Sequence, residues 1–225
     1  PFDATIARLT PAEFVRSLLA ECLRARRVLV GAGFRFGHQQ SGDAAALVAL
    51  GVQHGFTVEA IAPVSQDGEP ISSSRVRQAL ADGDVARARA MLGRNYTIDG
   101  QVVAGDGRGR KIGFPTANFA TGNEIVPDHG VYAGRCRLAA GWPPDWRPAV
   151  VNVGERPTFG GTATAIEAHL LDFEGQLYGL DLRLAFAQRL RDERRFPDQA
   201  ALVVQIRKDI ARTRALLSTS RDAGV

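Results

Sequence analysis

Cysteine, methionine and lysine are scarce in this 225-residue chain, and no long apolar run interrupts it. Its two cysteines, Cys22 and Cys136, stand far apart, one in an expected helix and the other in an expected strand. That spacing argues against a disulfide framework and suits buried free thiols in a reducing compartment. Apolar runs such as Val28–Val30 and Leu202–Val204 fall far short of the roughly 20 residues that cross a bilayer, so no membrane span is expected. The first residues hold no basic segment followed by an apolar one, so no signal peptide is expected and the cytoplasm is the expected location. Because lysine occurs only at Lys111 and Lys208, arginine carries the positive side of a formal net charge of +4. Most arginines fit solvated helix faces, while a basic balance also suits a polyanionic ligand, either nucleic acid or a nucleoside triphosphate.

What is present is a folded composition, 45% hydrophobic and 23% charged, which makes disorder the wrong default and allows one large domain or two small ones. Thr10-Pro11-Ala12-Glu13 reads as a helix start: a hydroxyl cap, proline in the first turn and a glutamate three residues past the cap. Phe14, Leu18, Leu19, Cys22 and Leu23 recur at helical spacing and are expected inward. Apolar runs at Arg27–Gly31 and Phe56–Val64 flank a helix expected over Asp43–Leu50. Strand and helix alternate, which favours a parallel sheet in an α/β layout. Two short helices, Ser72–Leu80 and Asp84–Leu92, come next and end at Gly93.

After Gly93 the pattern changes to short segments of alternating polarity separated by Gly, Pro and Asp. Strands are expected at Tyr96–Val103, Val131–Leu138, Ala149–Val153, Ala165–Asp172 and Leu182–Leu190, in an antiparallel domain closed into a small barrel. A final helix over Pro197–Leu217, with Leu202, Ile206 and Ile210 on one side, is expected to pack on it, leaving Ser218–Val225 as a frayed tail.

The densest chemistry lies in Gly105-Asp106-Gly107-Arg108-Gly109-Arg110-Lys111-Ile112-Gly113-Phe114-Pro115-Thr116-Ala117-Asn118. Glycines let the backbone approach a ligand and turn amides toward phosphate oxygens, and Arg108, Arg110 and Lys111 add charge. The GK[ST] ending of a P-loop is missing, so the loop belongs between strands. A hairpin with solvated charges would show the same glycines. In Pro115-Thr116-Ala117-Asn118 a hydroxyl and a carboxamide come after a proline, and both can offer oxygen to a magnesium ion whose remaining ligands come from nucleotide phosphates, although a polar turn reads the same way.

These segments resemble the riboflavin kinase domain of the prokaryotic bifunctional riboflavin kinase/FMN adenylyltransferase family. The similarity continues through Pro127-Asp128-His129-Gly130-Val131-Tyr132-Ala133, Asn152-Val153-Gly154-Glu155-Arg156-Pro157-Thr158-Phe159, Glu167-Ala168-His169-Leu170-Leu171-Asp172-Phe173, Leu177-Tyr178-Gly179 and Leu190-Arg191-Asp192-Glu193-Arg194-Arg195-Phe196, covering roughly residues 94–217. The resemblance implies transfer of the γ-phosphate of Mg-ATP to the 5′-hydroxyl of riboflavin. It implies that Thr116 and Asn118 bind Mg²⁺ and ATP, that Gly105, Gly107, Gly109, Arg110, Lys111, Gly113 and Pro115 belong to the ATP loop, and that Glu167 is the base. Without that context Glu167 reads as an outward glutamate on an alternating strand, and His169 as a structural or exposed histidine. Arg191, Glu193 and Phe196, with the start of the last helix, are the candidate flavin walls, since a flat apolar ring needs aromatic or aliphatic surface with a few polar groups. Surface ion pairing and a core anchor for the helix are the competing readings there.

Upstream, Phe34-Arg35-Phe36-Gly37, Gly42-Asp43 and Ile71-Ser72-Ser73-Ser74-Arg75-Val76-Arg77 resemble the adenylyltransferase half of that family, with Ser73, Ser74 and Arg75 as a remnant triphosphate clamp or simply a capped helix. The family's His-x-Gly-His motif is absent: His38, His54, His129 and His169 all stand in other contexts. The resulting expectation is an α/β remnant of a Rossmann-like nucleotidyltransferase module (1–90), followed by an antiparallel β-barrel domain with a C-terminal helix (91–225). This chain is expected to make FMN and little or no FAD, with riboflavin and ATP as its small-molecule partners and neither nucleic acid nor membrane. A parallel sheet short of its first strand and helix leaves apolar surface and an open edge, so poor order or self-association is expected for the first 90 residues. A nucleic-acid-binding barrel is the alternative from another class, but the basic loop has no interleaved aromatics to stack bases.

Overall fold

The computed structural model describes residues 2–138, 146–158 and 161–218, with only the backbone described at 156–158 and 161–163. Phe159 of the quoted motif and positions 219–225 of the expected tail lie outside the described residues. By its contacts the chain divides into residues 1–71 and 72–225. No helix of the described residues is long and apolar enough to cross a membrane.

The first unit opens with α1 (Ala4–Ala7) and α2 (Pro11–Phe14). Thr10 and Glu13 form the capping box that the sequence predicts: Thr10 Oγ1 accepts from Glu13 N, and Glu13 Oε2 accepts from Thr10 N at 2.9 Å. Thr10 Oγ1 also donates to Glu13 Oε2 at 2.7 Å, and this bond, with the one from Thr10 N, holds the Glu13 carboxyl below its ordinary pKa. The helix then widens into a π-helical stretch, Val15–Cys22, closed by Leu23 N donating to Leu18 O at 2.9 Å. Each i→i+5 turn takes up one more residue than an α-turn and rotates the following side chains off the face that a 3.6-residue period defines. Val15, at the start of the stretch, is fully buried, whereas Cys22 and Leu23, expected inward and standing at its end, are exposed. The buried-thiol reading is corrected for Cys22; Cys136 is buried.

Strand β1 (Arg27–Gly31) is succeeded by the short pair β2 (Arg35–Phe36) and β3 (Gly42–Asp43), then α3 (Ala44–His54) and β4 (Thr57–Ile61). Strands β1 and β4 pair in parallel from Arg27↔Thr57 to Gly31↔Ile61, as an α/β alternation predicts. Asp43 caps α3, and Val15, Val30, Phe36, Leu47 and Phe56 form the unit's core. The hairpin β5 (Ser65–Gln66) and β6 (Glu69–Pro70) completes it.

The second unit begins with α4 (Ser73–Ala81), capped by Ser72, and α5 (Val85–Leu92), capped by Asp84 and stopped by Gly93 in a left-handed conformation. Helix α4 and most of α5 stand before the boundary expected at residue 90, yet both group by contacts with the barrel strands, and α5 packs on two of them. The strands are β7 (Tyr96–Val103), β8 (Ala117–Thr121), β9 (Gly130–Leu138), β10 (Arg147–Thr158), β11 (Gly161–Leu170) and β12 (Asp181–Arg191). They close into an antiparallel barrel in the order β10-β11-β8-β7-β12-β9. A helical turn, α6 (Arg108–Lys111), sits in the glycine loop, and α7 (Gln199–Ser218) comes after the last strand.

Strand β8 is not predicted by the sequence pattern, because its five residues begin two positions after Pro115 and dilute strand-favouring Phe119 and Thr121 with two alanines and Asn118. Its neighbours β7 and β11 supply the pairing that its composition does not. Alternation fills the barrel interior with Ile98, Val102, Val151, Val153, Leu184 and Phe186, each at most 2% exposed. Tyr132 meets Phe186 edge to face at 5.5 Å, a contact worth roughly 0.5–1.5 kcal/mol beyond area burial, and donates its hydroxyl to the Asp128 carbonyl. Outside the barrel, Val131, Ala133 and Leu190 form a small cluster that also takes in Leu216 of α7.

Candidate active site

Residues on opposite sides of a strand alternate, so the partners of the buried barrel residues point outward. Asn118 on β8, Glu167 on β11 and Asn152 on β10 are directly opposite one another across three adjacent strands. Flanked by Phe119, Ile166 and Val153 in the interior, these three polar groups form one row on the outer barrel surface.

The segment before β8 is fixed over that row. Thr116 donates Oγ1 to Glu167 Oε2 at 3.3 Å. Nδ1 of His169 lies 2.8 Å from the Pro115 carbonyl, which only accepts, so Nδ1 carries the proton. The same ring meets Phe114 edge to face at 5.7 Å. Glu167 and His169, two residues apart on one face of β11, thus anchor Phe114–Thr116 by a carboxylate and an imidazole. Gly105 lets Asn118 come close: a Cβ there would stand 2.0 Å from Asn118 Nδ2, so a larger residue would push the carboxamide out of the row. Gly154 has the same role beside Glu193, whose Oε1 would lie 2.1 Å from an added Cβ and accepts from Asn152 Nδ2 at 3.1 Å.

Three cavities meet at Thr116. One, of about 310 Å³, is walled mainly by Val102, Pro115, Ala168, Leu170, Phe173 and Leu177, with Arg110 and Tyr178 at its border. A second, of about 290 Å³, is polar, with Gly107, Arg108, Asn118, Asn152, Glu155 and Glu167 on its walls. The third and largest, about 490 Å³, combines Phe114, Val150, Phe196, Leu202 and Ile206 with Arg191, Glu193 and Asn152. Thr116 lines all three, while Glu167, Asn152, Arg108 and Gly109 border the second and third.

The expected residues are accordingly distributed. Thr116, Asn118, Glu167, Gly107 and Gly109 surround the polar cavity; Pro115 and Arg110 line the smaller apolar one; Arg191, Glu193 and Phe196 line the largest. Gly105, Lys111 and Gly113 belong to the same loop without lining these cavities. Ser73, Ser74 and Arg75 form the first turn of α4, where Ser72 Oγ accepts from Arg75 N at 3.3 Å, and line none of the three. The Phe34–Gly37 and Gly42–Asp43 segments lie in the other unit, where Arg35↔Asp43 and Phe36↔Gly42 pair.

The sequence pattern assigns no role to Asn152 or Asp209 and gives Arg108 only a general charge, although all three border cavities. The alternation Asn152-Val153-Gly154 beside a strand carrying Glu167 is the available signal for the first. Nothing in the linear sequence distinguishes Asp209 from a solvated helix residue.

Among the described residues no three His, Cys, Asp or Glu side chains cluster as a metal cage. The hydroxyl of Thr116 and the carboxamide of Asn118 instead offer hard oxygen donors beside a polar cavity that Glu167 also borders, suited to a divalent cation that completes its shell with ligand oxygens. A carboxylate between a polar and an apolar cavity can accept a proton from a hydroxyl extending from the apolar side.

Comparison with known proteins gives this geometry a family context. A riboflavin kinase family model matches residues 92–217, and a FAD synthetase model matches residues 1–75. The chain is 39% identical over 222 residues to the bifunctional riboflavin kinase/FMN adenylyltransferase of Escherichia coli K12, covering 99% of this chain and 70% of that protein. The Pseudomonas fluorescens protein of the same name is 41% identical over 220 residues, covering 97% of this chain and 70% of its own length. Among solved structures, a Streptococcus pneumoniae protein titled a macrolide-efflux protein superposes with a TM-score of 0.83 at 31% identity, covering 95% of this chain and 67% of its own.

Proposed function

The chain belongs to the bifunctional riboflavin kinase/FMN adenylyltransferase family and carries its riboflavin kinase, and we propose that the three cavities meeting at Thr116 divide the reaction among nucleotide base, phosphates and flavin. The single observation that carries this reading is the Thr116–Glu167 hydrogen bond at the junction of all three. In this reading the adenine occupies the apolar cavity under Pro115 and Leu177, the phosphates lie in the polar cavity under the glycine loop, and the isoalloxazine ring fills the large cavity beside Phe196.

The ribityl chain then runs from the large cavity toward Glu167. Glu167 accepts the proton of the 5′-hydroxyl as that oxygen bonds to the γ-phosphorus and the bond to the β,γ-bridging oxygen breaks, giving FMN and ADP. Phosphoryl transfer depends chiefly on alignment and charge neutralisation, so a pre-oriented carboxylate and a phosphate-wrapping loop are a sufficient protein contribution. Thr116 and Asn118 would hold Mg²⁺, whose chemistry when bound is to neutralise phosphate charge. Thr116 also keeps the Glu167 carboxylate turned to the junction, and Asn152, braced by Glu193, supplies a second polar group on the path between cavities.

The test incubates the chain with riboflavin, ATP and magnesium and separates the flavins by chromatography. FMN is expected, and Glu167→Gln is expected to slow its formation by about 10²- to 10⁴-fold, the usual contribution of a general base. Undiminished FMN formation by that variant would remove Glu167 from the chemistry, and no FMN from folded protein would overturn the assignment of the cavities. The same chromatogram reads the expectation of FMN without FAD.

A further inference from the structure

Helix α7 carries one ionisable side chain into the protein. Asp209 is 4% exposed, on the helix face that also buries Thr213 and Leu217 and presents Leu202 and Ile206 to the large cavity. An aspartate in that setting is costly unless its charge is matched and its lone pairs are filled. Arg191 meets both needs, donating Nε at 3.0 Å and Nη2 at 2.9 Å to Asp209 Oδ2, while Gln205 Nε2 donates to Oδ1 at 2.7 Å.

The arrangement does more than neutralise charge. Arg191 Nη1 donates to the Asp192 carbonyl at 3.0 Å, so the guanidinium is held at three nitrogens and its plane is set. Gln205, one turn before Asp209, also accepts from Arg194 through Oε1. The two arginines flank Phe196, with Cζ at 5.7 Å and 4.9 Å from the ring centroid. One turn of α7 therefore organises Arg191, Phe196 and Arg194, all of which line the large cavity.

We propose that Asp209 is a positioning residue for the flavin ring: acting through Arg191, it fixes a planar cationic wall beside Phe196 whose remaining N–H groups meet the ring's carbonyl edge. The proposal rests on reading the large cavity as the flavin site. A merely structural ion pair would support folding without selecting for riboflavin over ATP.

The test uses Asp209→Asn in the full chain, which keeps side-chain size and an acceptor for Gln205. Riboflavin affinity, read from quenching of flavin fluorescence, and KM for riboflavin are expected to weaken about tenfold, the scale of one charge-assisted bond, with kcat and KM for ATP moving less than about threefold. Arg191→Met should weaken riboflavin similarly, and the double variant should be no weaker than Arg191→Met alone, since Asp209 acts through that side chain. Unchanged riboflavin affinity in folded Asp209→Asn, or additive losses in the double variant, would overturn the proposal. Should Asp209→Asn fail to fold, Gln205→Leu removes one brace and leaves the ion pair. It is expected to weaken riboflavin about two- to threefold, and an unchanged affinity would count against the proposal. Phe196→Ala separates the two readings: a raised KM for ATP in place of riboflavin would displace the flavin from this cavity, whereas a raised KM for riboflavin with a silent Asp209→Asn would reject only the role of Asp209.

Discussion

The two units of this protein handle the same physical problem, the pairing and covering of β-strands, in different ways. In residues 72–225 six strands close on themselves, and side chains such as Val151, Val153, Leu184 and Phe186 have no exposed surface. In residues 1–71 the parallel pair β1–β4 stands as a two-stranded sheet, and Leu29, Ile61, Val64 and Val52 remain 54%, 45%, 67% and 78% exposed. Closure removes strand edges and gives every inward residue a partner, whereas two parallel strands leave backbone groups and one apolar face to solvent. The difference teaches where a rigid site can be built. The polar row Asn118–Glu167–Asn152 needs three adjacent strands in fixed register, which among the described residues the barrel alone supplies.

The contrast can be broken by mutation. Phe186→Ala, in the barrel core, is expected to cost about 3–5 kcal/mol in chemical denaturation, as buried aromatic truncations do. Destabilisation of under about 1 kcal/mol would mean that the barrel interior is no better packed than the first unit.

Alkaline titration sharpens it further. Burial pushes the Tyr132 hydroxyl up to about 12, and the Cys136 thiol likewise to about 12. A folded-state pKa above the unfolded value favours folding fully below the unfolded pKa and loses that contribution as pH rises through the folded one. The melting temperature of the second unit should therefore fall across roughly pH 9–12, where free thiols and phenols ionise, and Tyr132→Phe should flatten the upper part of that fall. A profile unchanged by Tyr132→Phe would assign the loss elsewhere.

Amide exchange compares the units without mutation. The β9, β10 and β12 amides are expected to be protected well beyond those of β1 and β4, because the barrel opens only with its whole core. Equal protection would erase the distinction. The smallest effect is expected for Val52→Ser on the exposed side of α3, within about 0.5 kcal/mol of the parent. A larger loss would show that this surface is covered in solution.

Legibility divides along the same physics. Tyr96–Val103 is legible with its observed ends because alternation and turn residues are local signals, and the Thr10–Glu13 capping box is legible for the same reason. Strand β8 is hidden because its pairing comes from β7 and β11 rather than from its own composition. Cys22 and Leu23 depart from their expected burial because the helix widens to π geometry, which a 3.6-residue period cannot anticipate. Within the site, Glu167 and the Thr116–Asn118 segment stand out through a motif resemblance, while Asp209 is silent because an isolated helix aspartate carries no mark of burial.

By itself the sequence determined the type of the elements with strong local patterns, such as α3, β7, β9 and α7, the change from α/β to antiparallel β after Gly93, and the family, since these rest on short-range patterns and ordered motifs. The tertiary structure alone decided that Asn118, Glu167 and Asn152 form one row, that Thr116 stands at the meeting of three cavities, and that Asp209 holds Arg191 beside Phe196. Those relations depend on strand register and helix packing between residues far apart in the chain, and no local propensity encodes such distances.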